Sequence, residues 1–420
     1  MLNLWFGLPV AGRDWTLVLI GLIAGPIINH VVYTYAWFQR PFSPWLRGQS
    51  RPLSWRIPIV GWLLRRGDHE LGWHWIRGAM IEMAVPIGLV LLHHHEIVAT
   101  GLLTDRVAVI AAAYRPLAVG GFAVHGVLFV LMVAATFIDF DDWTIPDVIT
   151  VPGTLFGLVA GSLNHWIYPP SLLTPIDQAP ALYPTIFSAP WFVTPRWMVG
   201  GAGWAMAALV VTIWAVSLGD FRTHAFVARR RGFSAACRHA IALILRRSGW
   251  RIWLVNWIAA VSIITAGWTI GGVTWIGTAT AVIGLAVGGG VVWAIRIIGQ
   301  LALRTEAMGF GDVTLMAMIG TMVGWQASLI AFFLAPFAAL VITLIKLIFS
   351  RDAMLPYGPY LCAGTAATIW FWNRLYPSFA EPIEIIGPVL LPMAVGLLGL
   401  MFVLLKMVRW ARERCFGPVT

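Results

Sequence analysis

Long runs of apolar residues, separated by short polar segments, dominate this 420-residue chain. A run of about 20 apolar residues is long enough to cross a bilayer as a helix. The pattern predicts an all-α polytopic membrane protein, a bundle of about 10 transmembrane helices plus one short or re-entrant helix. The predicted spans are 16–38, 76–97, 117–138, 149–166, 199–218, 252–271, 277–298, 325–349, 358–375 and 386–408, and the short piece is 313–324.

Composition agrees with a membrane protein and excludes most soluble classes. The chain is 59% hydrophobic and only 11% charged, whereas a soluble domain has about 25% charged residues. The net charge of +10 does not require nucleic acid as a partner, because membrane proteins concentrate Lys and Arg in cytoplasmic loops. Cys237, Cys362 and Cys415 form no CxxC pair, so neither a disulfide framework nor a cysteine zinc site is indicated.

Arginine-rich loops predict the orientation. The 39–75 and 219–251 loops carry most of the arginines and are expected to be cytoplasmic, which leaves the N-terminus outside. Counting spans then places the 139–148 and 299–312 loops inside and the proline-rich, irregular 165–198 loop outside. The number of spans agrees with these loop positions only if 313–324 and 325–349 form one pair of helices that enters the membrane and returns to the same side.

The same pattern divides the chain into five regions. They are a first span with its cytoplasmic loop (1–75), spans with the first acidic cluster (76–164), an insertion with the proline-rich loop, a span and an arginine-rich loop (165–251), spans with a second acidic motif (252–376), and an extra C-terminal span with a basic tail (377–420).

Acidic residues are scarce, and their placement indicates chemistry. Four of the 18 acids lie in "IDFDDWTIPD", as Asp139, Asp141, Asp142 and Asp147. Asp312, in "AMGFGDVTLMAMIG", is expected at the same membrane face. Two carboxyl groups brought close together cannot both ionise easily, so one acts as an acid while the other activates water. Such a pair hydrolyses a peptide bond without a metal, and no metal site is predicted.

Several of these acids also have structural interpretations. Pro146 must follow the end of the helix that carries Asp139, and the spacing from Thr144 to Asp147 is typical of a helix start, so Asp147 either caps that helix or shapes the site. Asp141 and Asp142 are interpreted as solvated interfacial acids. Asp312 is either an N-cap or a catalytic group.

Three other features carry separate expectations. Gly309 and Gly311 allow backbone angles and close approach around Asp312. Glu82 lies inside a predicted span, where an acid is a functional candidate. The run His93 to His95 is interpreted as interfacial polar residues, because the sequence shows no carboxylate–histidine set that completes a metal site.

The combined motifs resemble those of the type IV prepilin leader peptidases, a family of membrane aspartic proteases. "FIDFDDWTIPDVIT" resembles the first aspartate motif of the family, and "EAMGFGDVTLMAMIGTMVGWQ" resembles its GxGD motif. "GLIAGPIINHVVY" resembles the first span, "RPLSWRIPIVGWLLRRG" the cytoplasmic loop, and "LPYGPYLCAG" the proline–glycine stretch near the end.

The resemblance implies an aspartic endopeptidase of the bacterial inner membrane, serving type IV pilus assembly or protein secretion. Asp139 and Asp312 would be the catalytic pair, and Glu82 matches a glutamate of the family. The substrates would be type IV prepilin or pseudopilin precursors, cut at the cytoplasmic face just before their hydrophobic helix. Proteolysis would need no cofactor, and S-adenosylmethionine would be used if N-methylation of the product is retained.

The sequence departs from the family in three ways. The first cytoplasmic loop lacks the two CxxC pairs that often bind zinc, Thr314 replaces a usual lysine, and a long insertion separates the two aspartates. Two alternatives to a protease therefore stay open. One is an inactive relative that serves as an assembly scaffold, and the other is a proton-relay or transport protein, although no inverted repeat supports a transporter.

Overall fold

The computed structural model describes residues 2–36, 40–46, 51–103, 111–173, 181–185, 196–218, 250–303, 308–349, 356–386 and 390–416. The arginine-rich part of the 219–251 loop and most of the proline-rich loop lie outside these ranges.

Fourteen α-helices in the described ranges carry the architecture. In chain order they are α1 (Leu2–Gly7), α2 (Val10–Tyr35), α3 (Val60–Leu64), α4 (His74–His93), α5 (Ala111–Asp142), α6 (Asp147–Leu163), α7 (Arg196–Val199), α8 (Gly201–Ser217), α9 (Trp250–Ile270), α10 (Gly272–Leu303), α11 (Phe310–Phe349), α12 (Gly358–Trp370), α13 (Trp372–Ile386) and α14 (Leu390–Phe416). Short 3₁₀ helices cover Leu53–Arg56 and His165–Ile167, and a π-helix continues α4 over His94–Val98.

The prediction of a polytopic α-helical membrane protein is confirmed. Within the described residues, seven helices are long and apolar enough to cross a membrane, and α6 and α8 are shorter apolar helices of 17 residues each. The predicted span 358–375 is wrong in its extent, because α12 ends at Trp370 and a new helix starts at Trp372.

α11 contains the predicted out-and-back pair. Its helical path is broken at Gly324, whose φ of 82° lies in the left-handed region that favours glycine. A Cβ built on Gly288 of α10 would lie 2.5 Å from the carbonyl oxygen of Met316 and 3.4 Å from Ser328 Oγ. A straight helix would separate Met316 and Ser328 by about 18 Å. The chain therefore turns back at Gly324, and the interpretation of 313–324 as a short helix of this pair is confirmed.

Glycines allow the helices of this bundle to approach closely. A Cβ on Gly284 of α10 would lie 1.9 Å from the carbonyl oxygen of Gly320, and a Cβ on Gly320 would lie 2.0 Å from that of Gly284. In a membrane, where lipid is as apolar as the helices, small residues at such crossings permit the van der Waals contact that holds helices together. The part of α11 that precedes Gly324 is thereby packed against α10.

Contacts between helices define two ends of the bundle. Arg77, near the start of α4, contacts Asp141 near the end of α5, so this end carries the first acidic cluster. At the other end Trp372 Nε1 donates to the carbonyl oxygen of Pro170 at 2.7 Å. We call these the acidic end and the opposite end. The described residues of the proline-rich loop lie at the opposite end, and the prediction that this loop is irregular is wrong in part, because Pro170–Leu173 (β1) pairs antiparallel with Ala181–Pro184 (β2).

Candidate active site

Asp139 lies in the last turn of α5, which ends at Asp142, four residues before Pro146 as the sequence requires. Trp143 follows with a φ of 58°, a left-handed conformation that is unusual for a residue with a side chain. This turn reverses the chain so that Ile145 lies near Asp139, and α6 begins at Asp147. Backbone conformations of this kind concentrate at functional sites, where the surrounding structure holds them.

Asp139 is buried, with 4% of its surface exposed. The backbone N–H of Gly358, the first residue of α12, donates to Asp139 Oδ2 at 3.0 Å. A Cβ on Gly358 would lie 2.6 Å from that same oxygen and 2.8 Å from Ile145 Cδ1. Only glycine therefore permits this contact, and α12 helps to define the position of the carboxyl group.

Asp312 is also buried, with 6% exposed. The interpretation as an N-cap residue is wrong in position, because α11 begins at Phe310 and Asp312 is its third residue. Its carboxyl group instead accepts a hydrogen bond from the backbone N–H of Gly309. This is the contact that the third helical residue makes in a capping box, so the same carboxyl stabilises the helix start and is held in place by it.

The two carboxyl groups are close enough to interact electrostatically. Ile145 packs against the residues next to both groups, since a Cβ on Gly358 would lie 2.8 Å from Ile145 Cδ1 and a Cβ on Gly311 would lie 2.9 Å from Ile145 N. In the part of the chain that the structure describes, no Lys or Arg forms an ion pair with either group. The fold thus brings together two acids, distant in sequence, that have backbone N–H groups as partners.

Tyr357 is a neighbour of this pair that sequence reasoning missed. It precedes α12, outside the membrane helices, and burial together with the carboxyl group of Asp312 raises the pKa of Tyr357 to about 12. The phenol is therefore neutral in the physiological range and can donate a hydrogen bond. Tyr357 and Gly358 both lie in "LPYGPYLCAG", so the signal for them was this stretch rather than an acid.

Arg296 supports the loop before Asp312. Its Nε donates to the carbonyl oxygen of Met308 at 3.0 Å, and its guanidinium lies 5.4 Å from the centre of the Phe310 ring. Thr314, buried at 1% exposure, bonds to the carbonyl oxygen of Gly311 at 3.0 Å. Thr314 thus supplies no charge to the site and holds the first turn of α11.

The remaining acids of the first cluster lie elsewhere. The interpretation of Asp141 as a solvated acid is wrong. Arg77 contacts both of its carboxylate oxygens at 2.7 Å, and Arg40 approaches one of them at 3.4 Å. Asp142 also has a partner. Asp147 is exposed at the first position of α6, and no side-chain bond caps that helix.

Glu82 is buried at 3% exposure but serves a different contact network. Its carboxylate accepts hydrogen bonds from Asn29 Nδ2 at 2.9 Å, Trp62 Nε1 at 2.8 Å and the backbone N–H of Ile59 at 2.5 Å. Ile59 has a φ of 64°, which is strained for a β-branched residue. Glu82 thereby fixes the loop between α2 and α4, and none of its described contacts reaches Asp139 or Asp312.

Comparison with known proteins covers the part of the chain that carries Asp312. Residues 251–344, which include Asp312, match the model of the type IV leader peptidase family. The chain is 35% identical over 74 residues to the Prepilin leader peptidase/N-methyltransferase of Burkholderia pseudomallei, in strains 1026b and K96243. These alignments cover 17% of this chain and 24% of each relative, so the chain matches about a quarter of the length of these curated relatives. No solved structure matches the chain.

Proposed function

We propose that this protein is a membrane aspartic endopeptidase that removes the N-terminal leader of type IV prepilin or pseudopilin precursors. The observation that carries the proposal is the meeting of Asp139 and Asp312, both buried, with no ion-paired cation among their described neighbours. The family match over 251–344 supports the reaction class, and the printed name of the relatives supports the substrate class.

The mechanism follows from the chemistry of two neighbouring carboxyl groups. Mutual repulsion keeps a proton on one of them while the other is ionised. The ionised group removes a proton from a water molecule, and the resulting hydroxide attacks the scissile carbonyl carbon. The protonated group donates its proton to the carbonyl oxygen as the hydroxide attacks. The other group then passes the proton that it took from water to the departing amine nitrogen as the C–N bond breaks, and the first group recovers its proton as the new carboxyl group forms.

The residues around the pair hold this geometry. Gly358 N–H and Gly309 N–H each donate to one carboxyl group, which orients the acids without adding a charged partner. Glycine at 311 and 358 lets the Ile145 loop approach both of them. In this proposal Gly309, Gly311 and Pro146 shape the site directly, while Glu82 acts at a distance by fixing the loop after α2.

We place the acidic end at the cytoplasmic face of a bacterial inner membrane, with the N-terminus outside. Arg40 and the arginines of the 51–67 stretch lie on the chain segment that reaches the acidic end, which agrees with the bias of basic residues toward the cytoplasm. Labelling of single cysteines introduced at Asp68 and Tyr183 tests this side assignment. Modification of Tyr183→Cys from the outside, with protection of Asp68→Cys, is expected, and the reverse pattern contradicts it.

The direct test of function uses the purified full-length protein in detergent with pilin-like precursors encoded near it. Loss of the basic leader, read as a product mass, is expected without added metal or cofactor. A mass increase of one methyl group that depends on S-adenosylmethionine would add the second activity in the relatives' name. An intact precursor, incubated in parallel with an active leader peptidase that does cleave it, contradicts the proposal and favours the scaffold alternative.

A further inference from the structure

A second cluster of ligand-type side chains lies at the opposite end of the bundle. Asp14 from α2 places Oδ1 3.2 Å from His93 Nδ1 and Oδ2 2.9 Å from His94 Nε2. The carboxylate and the two ring nitrogens all lie within 4.8 Å of one another. His93 follows Arg77 by sixteen residues of helix, which corresponds to about 24 Å. The cluster is therefore far from Asp139 and independent of the proposed protease site.

We propose that Asp14, His93 and His94 bind one divalent transition-metal ion of the zinc type. Two imidazoles and a carboxylate with an open fourth position are a frequent zinc ligand set. Ligand atoms about 2.0 Å from a tetrahedral ion lie about 3.3 Å from one another. The two oxygen–nitrogen separations of 3.2 and 2.9 Å are near this spacing, and because the ligand atoms all lie within 4.8 Å of one another, side-chain rotations can bring them around one ion.

Local structure holds the ligands in place. His93 is fully buried and packs edge-on against the rings of Trp5 and Phe122, with centroids 5.7 and 5.5 Å away. The helix changes from α to π at His94. Adjacent residues of a regular helix point in different directions, and π segments in helices often mark functional sites. Here two consecutive histidines reach the same carboxylate.

Exposure leaves room for solvent at the fourth position. The side chains of His94 and Asp14 are 44% and 25% exposed, whereas that of His93 is 0% exposed. One face of the cluster is thus open to an ion that enters from solvent, and the other is closed by the protein.

Neighbouring charged groups have other partners. The guanidinium of Arg13 lies on the Phe6 ring at 5.6 Å. His95 stacks on Trp370 at 4.3 Å, and Glu96 pairs with His125 at 2.8 Å. The described donor set is therefore limited to Asp14, His93 and His94. The expectation of no metal site, made from the histidine run alone, missed Asp14 because it lies on a different helix.

The test is metal binding by the full-length protein, with its affinity tag removed and bound metal stripped by chelation. Zinc binding is measured by titration calorimetry, and cobalt is used as a visible probe of tetrahedral geometry. We expect one zinc per chain and the absorption bands of tetrahedral cobalt. His94→Ala and Asp14→Asn should each weaken binding more than about a hundredfold, while His69→Ala, which removes an exposed histidine of the acidic-end loop, should leave it unchanged.

Thermal unfolding provides a second readout. Zinc should raise the unfolding temperature of the wild type, because an ion that binds only the folded state stabilises it, and should not raise that of His94→Ala. His94 is the most exposed of the three ligands, so its removal is the change least able to disturb folding. Absence of stoichiometric zinc in the wild type, or equal affinity in all variants, would show that the cluster is only a hydrogen-bonded pair of histidines on a carboxylate.

Discussion

Asp139 and Asp141 stand two residues apart on one helix, yet their surroundings are opposite. Asp139 accepts a backbone N–H from Gly358 and interacts with Asp312, whereas Asp141 is held by Arg77 and Arg40. Two residues of α-helix correspond to a rotation of about 200°, so the side chains leave α5 on different faces. One face meets α11 and α12, and the other meets the start of α4.

The difference separates a chemical role from a structural one. A carboxylate between two arginines is occupied by its charged partners. A carboxyl group beside a second carboxyl group, with backbone N–H donors only, can exchange a proton with water or substrate. Of the acids in "IDFDDWTIPD", Asp139 is therefore the one whose surroundings suit catalysis, and Asp141 ties α5 to α4.

The largest expected effect is the loss of either member of the pair. Asp139→Asn and Asp312→Asn keep the shape of the side chain but cannot share or transfer a proton, so each should lower the cleavage rate at least about a thousandfold. Product masses of a pilin-like precursor provide the measurement, and size-exclusion chromatography in detergent checks that each variant is folded. Cleavage at the wild-type rate by either variant removes that residue from the catalytic role.

The sequence predicted more of the helical fold than of the arrangement of the site. Apolar runs predicted the helices, and span counting predicted the reversal that occurs at Gly324. The motifs singled out Asp139 and Asp312, which the fold brings together. Periodicity could not separate Asp139 from Asp141, however, because their roles depend on Arg77 and Gly358, which come from other helices. The Asp14 cluster was missed for the same reason.

A second prediction tests the close approach around the pair. Gly311→Val should lower the cleavage rate about a hundredfold, because a displacement of about 1 Å at a catalytic group has an effect of that order, and a Cβ at this position would lie 2.9 Å from Ile145 N. Gly290→Val is the matched control, since a Cβ at Gly290 meets nothing within 4 Å. A comparable loss in both variants would show that the added bulk acts through the fold as a whole.

Gly320 is unsuitable as that control, although it lies farther along α11. Its backbone contacts that of Gly284, so a side chain there would separate α10 from α11. We expect Gly320→Val to reduce the amount of folded protein recovered from the membrane, which is a different outcome from slow cleavage by a well-folded Gly311→Val.

A third prediction concerns the structural face of α5. Asp141→Asn should lower the free energy of unfolding by about 1–3 kcal/mol, since it removes the charge that partly buried Arg77 contacts, and should change the cleavage rate less than about tenfold. Denaturation in detergent measures the first quantity. Arg77→Ala should have a similar effect, and the double variant should lose less than the sum of the two because they share one interaction. A thousandfold loss of cleavage in a stable Asp141→Asn protein would reverse the assignment of roles on α5.

The smallest effect is expected at Tyr357. A phenol is protonated at neutral pH even at its ordinary pKa, and burial raises the pKa of Tyr357 further, to about 12. Tyr357 can therefore donate a hydrogen bond near Asp312 but cannot take part as a base. Tyr357→Phe retains the ring and removes only this donor, and the loss of one neutral hydrogen bond of about 1 kcal/mol corresponds to roughly a fivefold change in rate. The measurement is kcat/KM as a function of pH, compared with Tyr360→Phe, which removes a hydroxyl from a buried residue of the same helix start.

If Tyr357→Phe alone shifts the pH profile, the phenol interacts with the acidic pair during the reaction. If both variants lower the rate equally with no shift, Tyr357 only packs at the site, and the contrast between Asp139 and Asp141 then rests on the carboxyl groups and their backbone donors alone.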